Sequence, residues 1–320
     1  MAGWTSASAD VCAFYDEARR VIREELKDSM SADGGPTRSD LELELEYLME
    51  DAVVGWQGRR QDSGEDSRDG QGSAPCSMRM GLDDLRSVWG LRVKKRLPLQ
   101  YITHSAFWRD MVLSVGRGVL IPRPETELMI DFVLEAAEAS PRLGRGLWAD
   151  LGTGSGALAL GVARALLEVP TVYAVDVAPE PLAYVSFNAQ RYGVGHRVRP
   201  IESNWFEGLR HAGIAAGSLA GVVSNPPYIP SPTCQMLQTE VKDHEPVLAL
   251  DGGGKLAVDC LVPICEGAAE MLVKGGFLAL ETNGGEQAQY IVDLLRAFEF
   301  REVTIRRDLR DVDRFVTAIR

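Results

Sequence analysis

The residue types that could do chemistry sit at two breaks in the chain. One is "SNPPYIP" at 224–230, directly after the apolar run 219–223. That run reads as a buried strand, and two adjacent prolines end it abruptly. A residue before proline is pushed into extended conformations, so Asn225 and Pro226 are both held stiff. The Asn225 side chain offers an acceptor oxygen and a donor nitrogen. The Pro226 carbonyl offers a second acceptor, Pro227 stiffens the turn and Tyr228 supplies a flat wall. Such a set suits a planar –NH2 group, whose two hydrogens need two acceptors and whose plane can stack.

The second break is "ADLGTGSGALAL" at 149–160. Gly152, Gly154 and Gly156 let the backbone turn sharply and let a ligand approach the start of the following helix. The spacing Gly152, Gly154, Ala157 also satisfies the relaxed dinucleotide pattern, so the loop alone leaves a nicotinamide cofactor open. Asp150, two residues ahead of Gly152, can meet a ligand ammonium group. Asp176, ending the run "TVYAVD", can accept both ribose hydroxyls. Together these shift the balance towards S-adenosylmethionine, although an acid at 176 is shared with NAD sites.

These residues need a scaffold, and the chain is large enough for one. At 320 residues, 45% hydrophobic and 25% charged, it reads as a soluble protein with one large domain beside a smaller one. No apolar run reaches the roughly 18 residues of a membrane span. The start "MAGWTSASAD" lacks the pattern of a secretory signal. A net charge of −12 disfavours duplex nucleic acid as the main partner. The basic cluster Arg92, Lys94, Lys95 and Arg96 reads as a helix C-terminus, with a contact to ribosomal RNA or an acidic partner as the alternative. Five cysteines (Cys12, Cys76, Cys234, Cys260, Cys265) without a C-x-x-C pair, and scattered histidines, suggest neither a metal site nor a disulfide framework.

Amphipathic patterns predict helices over 11–27, 39–53 and 82–96, the second opened by Ser39 and Glu42 at capping-box spacing. Residues 57–77 carry almost no large apolar side chain and read as a disordered insertion. The expected organisation is a helical domain over 1–97, a β-hairpin linker over 98–122 and a catalytic domain over 123–320. In the last, strands at 147–151, 171–176, 198–202, 219–224, 276–281, 299–305 and 313–319 alternate with helices at 157–167, 179–192, 255–273 and 285–298. Alternation of this kind means an α/β, doubly wound, mainly parallel sheet. The short link "RRDLRD" makes the last two strands antiparallel at one edge.

"NPPY" after a strand, following a D-x-G-x-G-x-G loop, is similar to methyltransferases that act on exocyclic or amide nitrogen. With "PLQYI" (98–102), "LIPRPETE" (120–127), "SNWF" (203–206), "EPVLALDGG" (245–253) and "GGFLALETNGGEQ" (275–287), the chain from about residue 82 onward resembles the release-factor glutamine methyltransferases of the HemK/PrmC family. The resemblance implies a class I methyltransferase domain, Rossmann-like, behind a helical substrate-docking domain. It implies S-adenosyl-L-methionine as cofactor, held by Asp150, Gly152, Thr153, Gly154, Ser155, Gly156, Asp176, Trp205 and Asn225, with Trp205 near the adenine. It implies that Asn225, Pro226, Pro227 and Tyr228 hold the glutamine of a Gly-Gly-Gln motif, with Asn225, Pro226 and Tyr228 as the catalytic set. The implied partner is a class I peptide chain release factor. A soluble monomer is expected, in the cytoplasm or an organelle. For Arg123 and Glu125 an ion-paired loop and a role in the site stay open. Alternatives are a glutamine of a ribosomal protein, adenine N6 in nucleic acid, a binding module without turnover, and an NAD oxidoreductase.

Overall fold

The computed structural model describes residues 4–25, 34–56 and 75–320. The chain divides into two units, one of 1–104 with 237–244, the other of 105–236 with 245–320.

In the first unit a strand, β1 (Trp4–Ala7), leads into helix α1 (Ser8–Glu25), followed by α2 (Arg38–Ala52), strand β2 (Pro75–Met78), α3 (Leu82–Lys95) and the short α4 (Leu99–Thr103). Apolar residues three and four apart give each long helix one buried face, and Phe14, Ile22, Leu45, Leu48, Leu85 and Trp89 meet in one core. The capping box of α2 is Thr37 with Asp40, not Ser39 with Glu42. Glu42 instead pairs with Arg38 across one helical turn at 3.1 Å. Residues 57–74 of the expected insertion, and 26–27 of the first expected helix, lie outside the described residues. Residues 75–77 are ordered strand, because β2 pairs antiparallel with β1. The Arg92 side chain is only 3% exposed, held by Glu44 and by Glu240 at 3.1 Å, so it is a buried ion-pair centre within the expected basic cluster.

The second unit opens with a hairpin of β3 (Ser105–Trp108) and β4 (Met111–Ser114), turned at Arg109 with φ of 50°. It is shorter than the expected 98–122 hairpin: 99–103 are helical, and no strand forms in 115–122, whose glycines and Pro122 break the pattern. Next come α5 (Leu128–Ala139), β5 (Leu147–Leu151), α6 (Ala157–Ala165), β6 (Val172–Asp176), α7 (Pro179–Arg191), β7 (Val198–Glu202), α8 (Glu207–His211), β8 (Leu219–Ser224) and α9 (Ser231–Cys234). After α10 (Thr239–Lys242), which belongs to the first unit, follow α11 (Leu261–Met271), β9 (Leu272–Glu281), α12 (Gly285–Ala297), β10 (Arg301–Arg307) and β11 (Asp313–Ile319).

The seven strands from β5 to β11 form one sheet in the order β10-β11-β9-β8-β5-β6-β7. Pairings among β9, β8, β5, β6 and β7 are parallel, and β11 runs antiparallel to both its neighbours, β9 and β10. Strands covered on both faces read as near-continuous apolar runs, as β5 and β8 do. Trp148 anchors the core on one face, close against the backbone of its register partner Gly221, and Phe206 with Leu261 anchors the other. Chain order reverses between β5 and β8, and the register pairs Ser224 with both Leu151 and Leu280. The carboxyl ends of β5, β8 and β9 are therefore level. A ligand crevice belongs at that end.

Candidate active site

A cavity of about 280 Å3 opens at this edge. Asp150, Gly152, Thr153, Gly154, Ser155, Asp176, Trp205, Asn225 and Pro227 line it. Gly156, Pro226 and Tyr228 are absent from the lining. Gly156 serves packing instead: a Cβ there would come within 2.8 Å of Leu160 and 3.3 Å of Val185, at φ of +89°. Gly154 is the opposite case, with positive φ and open space where a Cβ would stand.

Asp150 is fully buried at the end of β5. Its Oδ2 accepts the Thr153 hydroxyl at 2.6 Å and the Ala159 N–H at 2.9 Å, while Oδ1 has no partner among the described residues. Burial pushes its carboxyl up to about 7, with the nearby Asp176 adding to the shift and both hydrogen bonds opposing it. At the end of β6, Asp176 accepts the Gly154 N–H at 3.0 Å on Oδ2 and the Ala178 N–H at 3.2 Å on Oδ1. Burial raises its carboxyl too, against those backbone donors. Each of its oxygens keeps lone-pair capacity for a further donor. Trp205 holds a left-handed backbone at φ of 48°, pinned where the Ser203 hydroxyl donates to its carbonyl at 3.0 Å.

These features fit S-adenosylmethionine. An orphaned, buried carboxylate oxygen calls for a cationic donor such as an ammonium group. Asp176 can take a ribose diol, and the half-buried Trp205 ring offers a surface for a planar base.

On the acceptor side, Asn225 donates through Nδ2 to the Thr126 hydroxyl oxygen at 3.0 Å, and its Oδ1 has no partner among the described residues. Thr126 in turn donates to the buried Glu281 at 2.6 Å, and the Tyr228 hydroxyl donates to the other Glu281 oxygen at 2.8 Å. Burial and the Glu281 charge push the Tyr228 hydroxyl up, so it stays protonated. The segment 250–253 lies directly against this loop: Ile229 donates to the Leu250 carbonyl at 3.0 Å and Gly252 to the Ile229 carbonyl at 2.9 Å. A Cβ on Gly252 would reach 2.8 Å from the Pro227 carbonyl, so a side chain there would push the loop away.

Arg123 and Glu125 both make ion pairs. Arg123 meets Glu245 at 2.7 Å, and the other Glu245 oxygen takes the Ile121 N–H at 3.1 Å. Glu125 meets Arg310 at 3.0 Å. Arg123 also lines the cavity. Sequence reasoning missed Thr126 and Glu281. Their signal was present as a threonine inside "PRPETE" and an acid closing the apolar strand "FLALE".

The solved catalytic domain of hMettl16, in complex with the MAT2A 3′UTR hairpin 6, has the same fold, with a TM-score of 0.51 at 11% identity over 74% of this chain and 80% of that one. A family model described as RNA cap guanine-N2 methyltransferase matches residues 146–229. Sheet, loop and cavity define a class I S-adenosylmethionine-dependent methyltransferase. A relative from Synechocystis sp., named release factor glutamine methyltransferase, is 43% identical over 240 residues, 74% of this chain and 78% of that protein. One of the same name from Gloeobacter violaceus is 37% identical over 277 residues, 86% and 89% of the two chains. The chain belongs to the release factor glutamine methyltransferase family.

Proposed function

We propose that the protein transfers a methyl group from S-adenosylmethionine to the side-chain amide nitrogen of the glutamine in the Gly-Gly-Gln motif of a peptide chain release factor. The observation that carries this reading is the Asn225 amide, which lines the cavity and is tied back through Nδ2 to Thr126, with no partner for Oδ1 among the described residues.

Bound here, S-adenosylmethionine supplies a methyl group on a sulfonium, already activated towards a weak nucleophile. Asp150 Oδ1 would hold its ammonium, Asp176 its ribose, the Gly152–Gly154 backbone its chain and Trp205 its base. Asn225 Oδ1 accepts one hydrogen of the glutamine amide, and the Pro226 carbonyl, outside the cavity lining itself, would take the second once the glutamine is seated, fixing the plane of its nitrogen. Pro226 and Pro227 keep both acceptors rigid, and Tyr228 walls the loop. An amide nitrogen is a poor nucleophile because its lone pair is delocalised, so alignment is the main contribution, worth several kcal/mol. The two acceptors also stabilise positive charge appearing on nitrogen, and one N–H proton then passes to water.

The first unit is read as the docking surface for the factor, since a glutamine in a small-residue loop offers far less than the roughly 1,200–2,000 Å2 of a stable protein interface. The same reading has the chain acting as a monomer. The match to an RNA cap guanine-N2 model supports a second reading, a nucleobase amine at the same Asn-Pro-Pro-Tyr loop. The net charge of −12 and relatives matching over three quarters of the chain favour the protein substrate.

Methyl-labelled donor, the protein and a class I release factor, followed by peptide mass spectrometry, test this. One methyl on the Gly-Gly-Gln glutamine is the expected result. No transfer to the factor, with transfer to a guanine-bearing RNA, would replace the first reading by the second. Hydrogen exchange on the complex should show protection in the first unit.

A further inference from the structure

Glu281 closes β9 with only 1% of its surface exposed, and the pairing of Ser224 with Leu280 sets it beside the strand that leads to Asn225. Both its oxygens are engaged, Oε2 by the Thr126 hydroxyl at 2.6 Å and Oε1 by the Tyr228 hydroxyl at 2.8 Å. A threonine hydroxyl owns a single proton. With that proton given to Glu281, Thr126 can only accept from Asn225. Asn225 therefore meets it with Nδ2, at 3.0 Å, and its Oδ1 edge is turned elsewhere.

We infer that Thr126 and Glu281 are positioning residues for methyl transfer: the buried carboxylate, acting through the threonine proton, fixes which edge of the Asn225 amide the substrate meets. This rests on the reading of Asn225 as the acceptor for the glutamine amide. The two edges of an asparagine amide are nearly alike in shape and opposite in polarity. Packing alone therefore holds either orientation equally well, whereas a hydrogen bond of fixed direction selects one. Turned over, Asn225 presents –NH2 to the –NH2 of the substrate, a donor facing a donor where positive charge develops.

The groups that face Glu281 are Thr126 and Glu125 ahead of α5, Tyr228 after β8 and Arg314 on β11. Burial pushes its carboxyl up, and Glu125 adds to this. The two hydroxyls and Arg314 act the other way and favour the ionised form that the donor chain needs.

The test is a mutant cycle on the full chain, with a Gly-Gly-Gln-bearing release factor as substrate. Thr126→Val removes the hydroxyl with little change of shape. It should lower kcat about tenfold, within the range that directly coupled neighbours show, while donor Kd and substrate KM move less than about twofold. Thr126→Ser keeps the proton and should restore kcat. In an Asn225→Ala background, Thr126→Val should cost nothing further, because there is no amide left to orient. A wild-type kcat in Thr126→Val, or an equal loss in both backgrounds, overturns the inference. Should Thr126→Val fail to fold, Thr126→Ala is put through the same cycle with the same outcomes required. Near-normal kcat in Asn225→Ala alone would remove the underlying reading of Asn225, and the inference with it. Failure at Thr126 beside a crippled Asn225→Ala removes only the inference.

Discussion

Asp150 and Asp176, at the ends of adjacent parallel strands, grip consecutive residues of one loop: Asp150 holds the Thr153 hydroxyl and Asp176 the Gly154 N–H. The two differ in what is left over. Asp176 has each oxygen on a backbone donor, whereas Asp150, fully buried, has no partner for Oδ1 among the described residues. Their effects on binding should therefore separate.

Donor affinity should depend on pH through Asp150. With its carboxyl at about 7 in the free protein, against about 3.9 in an unfolded chain, the protonated form is favoured by folding. That contribution to stability is present below the unfolded value and is lost as pH rises to about 7. A cation at Oδ1 reverses the preference, so binding below pH 7 must expel a proton. Affinity for S-adenosylmethionine should rise with pH and level off above about 7. Calorimetry at pH 6 in buffers of different ionisation enthalpy reads the released proton directly. Heats independent of buffer would show that Asp150 is not the ammonium partner, and Asp150→Asn should abolish the dependence.

Asp176→Ala should weaken donor binding by roughly 1.5–3 kcal/mol, the usual value of charge-assisted hydrogen bonds. Turnover at saturating donor should change much less. Unchanged affinity in the same calorimeter would mean that the ribose sits elsewhere.

Asn225→Ala should behave in the reverse way. Donor affinity should stay nearly intact, and kcat should fall about a hundredfold or more, because the lost acceptor acts mainly in the transition state. A fall of less than about tenfold in steady-state assays on a release factor would contradict its role as amide clamp.

Gly221→Ala should destabilise without touching the site. A Cβ there would stand 2.4 Å from the ring of Trp148, which is fully buried and held by its N–H on the Leu143 carbonyl at 2.8 Å. Overpacking of this kind costs roughly 1–3 kcal/mol. Urea unfolding monitored in the second unit should show it, and an unchanged midpoint would mean that the Trp148 ring moves aside freely.

The inner sheet could be read from sequence because β5, β6 and β8 are short, mostly apolar runs bounded by glycine, acid or proline. The expected bounds 147–151, 198–202, 219–224 and 313–319 coincide with β5, β7, β8 and β11. The placement of Asp150 and Asp176 beside the cavity was readable for the same reason, since strand ends fix where these acids must lie. What escaped depends on register. Thr126 and Glu281 are 155 residues apart, and only the alignment of β8 with β9 brings the acid to Asn225. Capping also misled: Ser39 with Glu42 satisfies the usual pattern, but the helix begins one residue earlier and uses Thr37.

Among the described strands β11 comes last along the chain, yet it lies inside the sheet, between β9 and β10. During synthesis, the glycine loop at 152–156 and the Asn225 loop leave the ribosome before the strand that seals the structure. Until Asp313–Ile319 is made, β9 shows a bare row of N–H and C=O groups along one side. Glu281, whose register partner is Phe315, then closes a strand with no neighbour there. A nascent chain halted within α12 thus carries every residue assigned to the reaction but presents an adhesive edge that invites wrong pairing. Competence waits until that edge is filled.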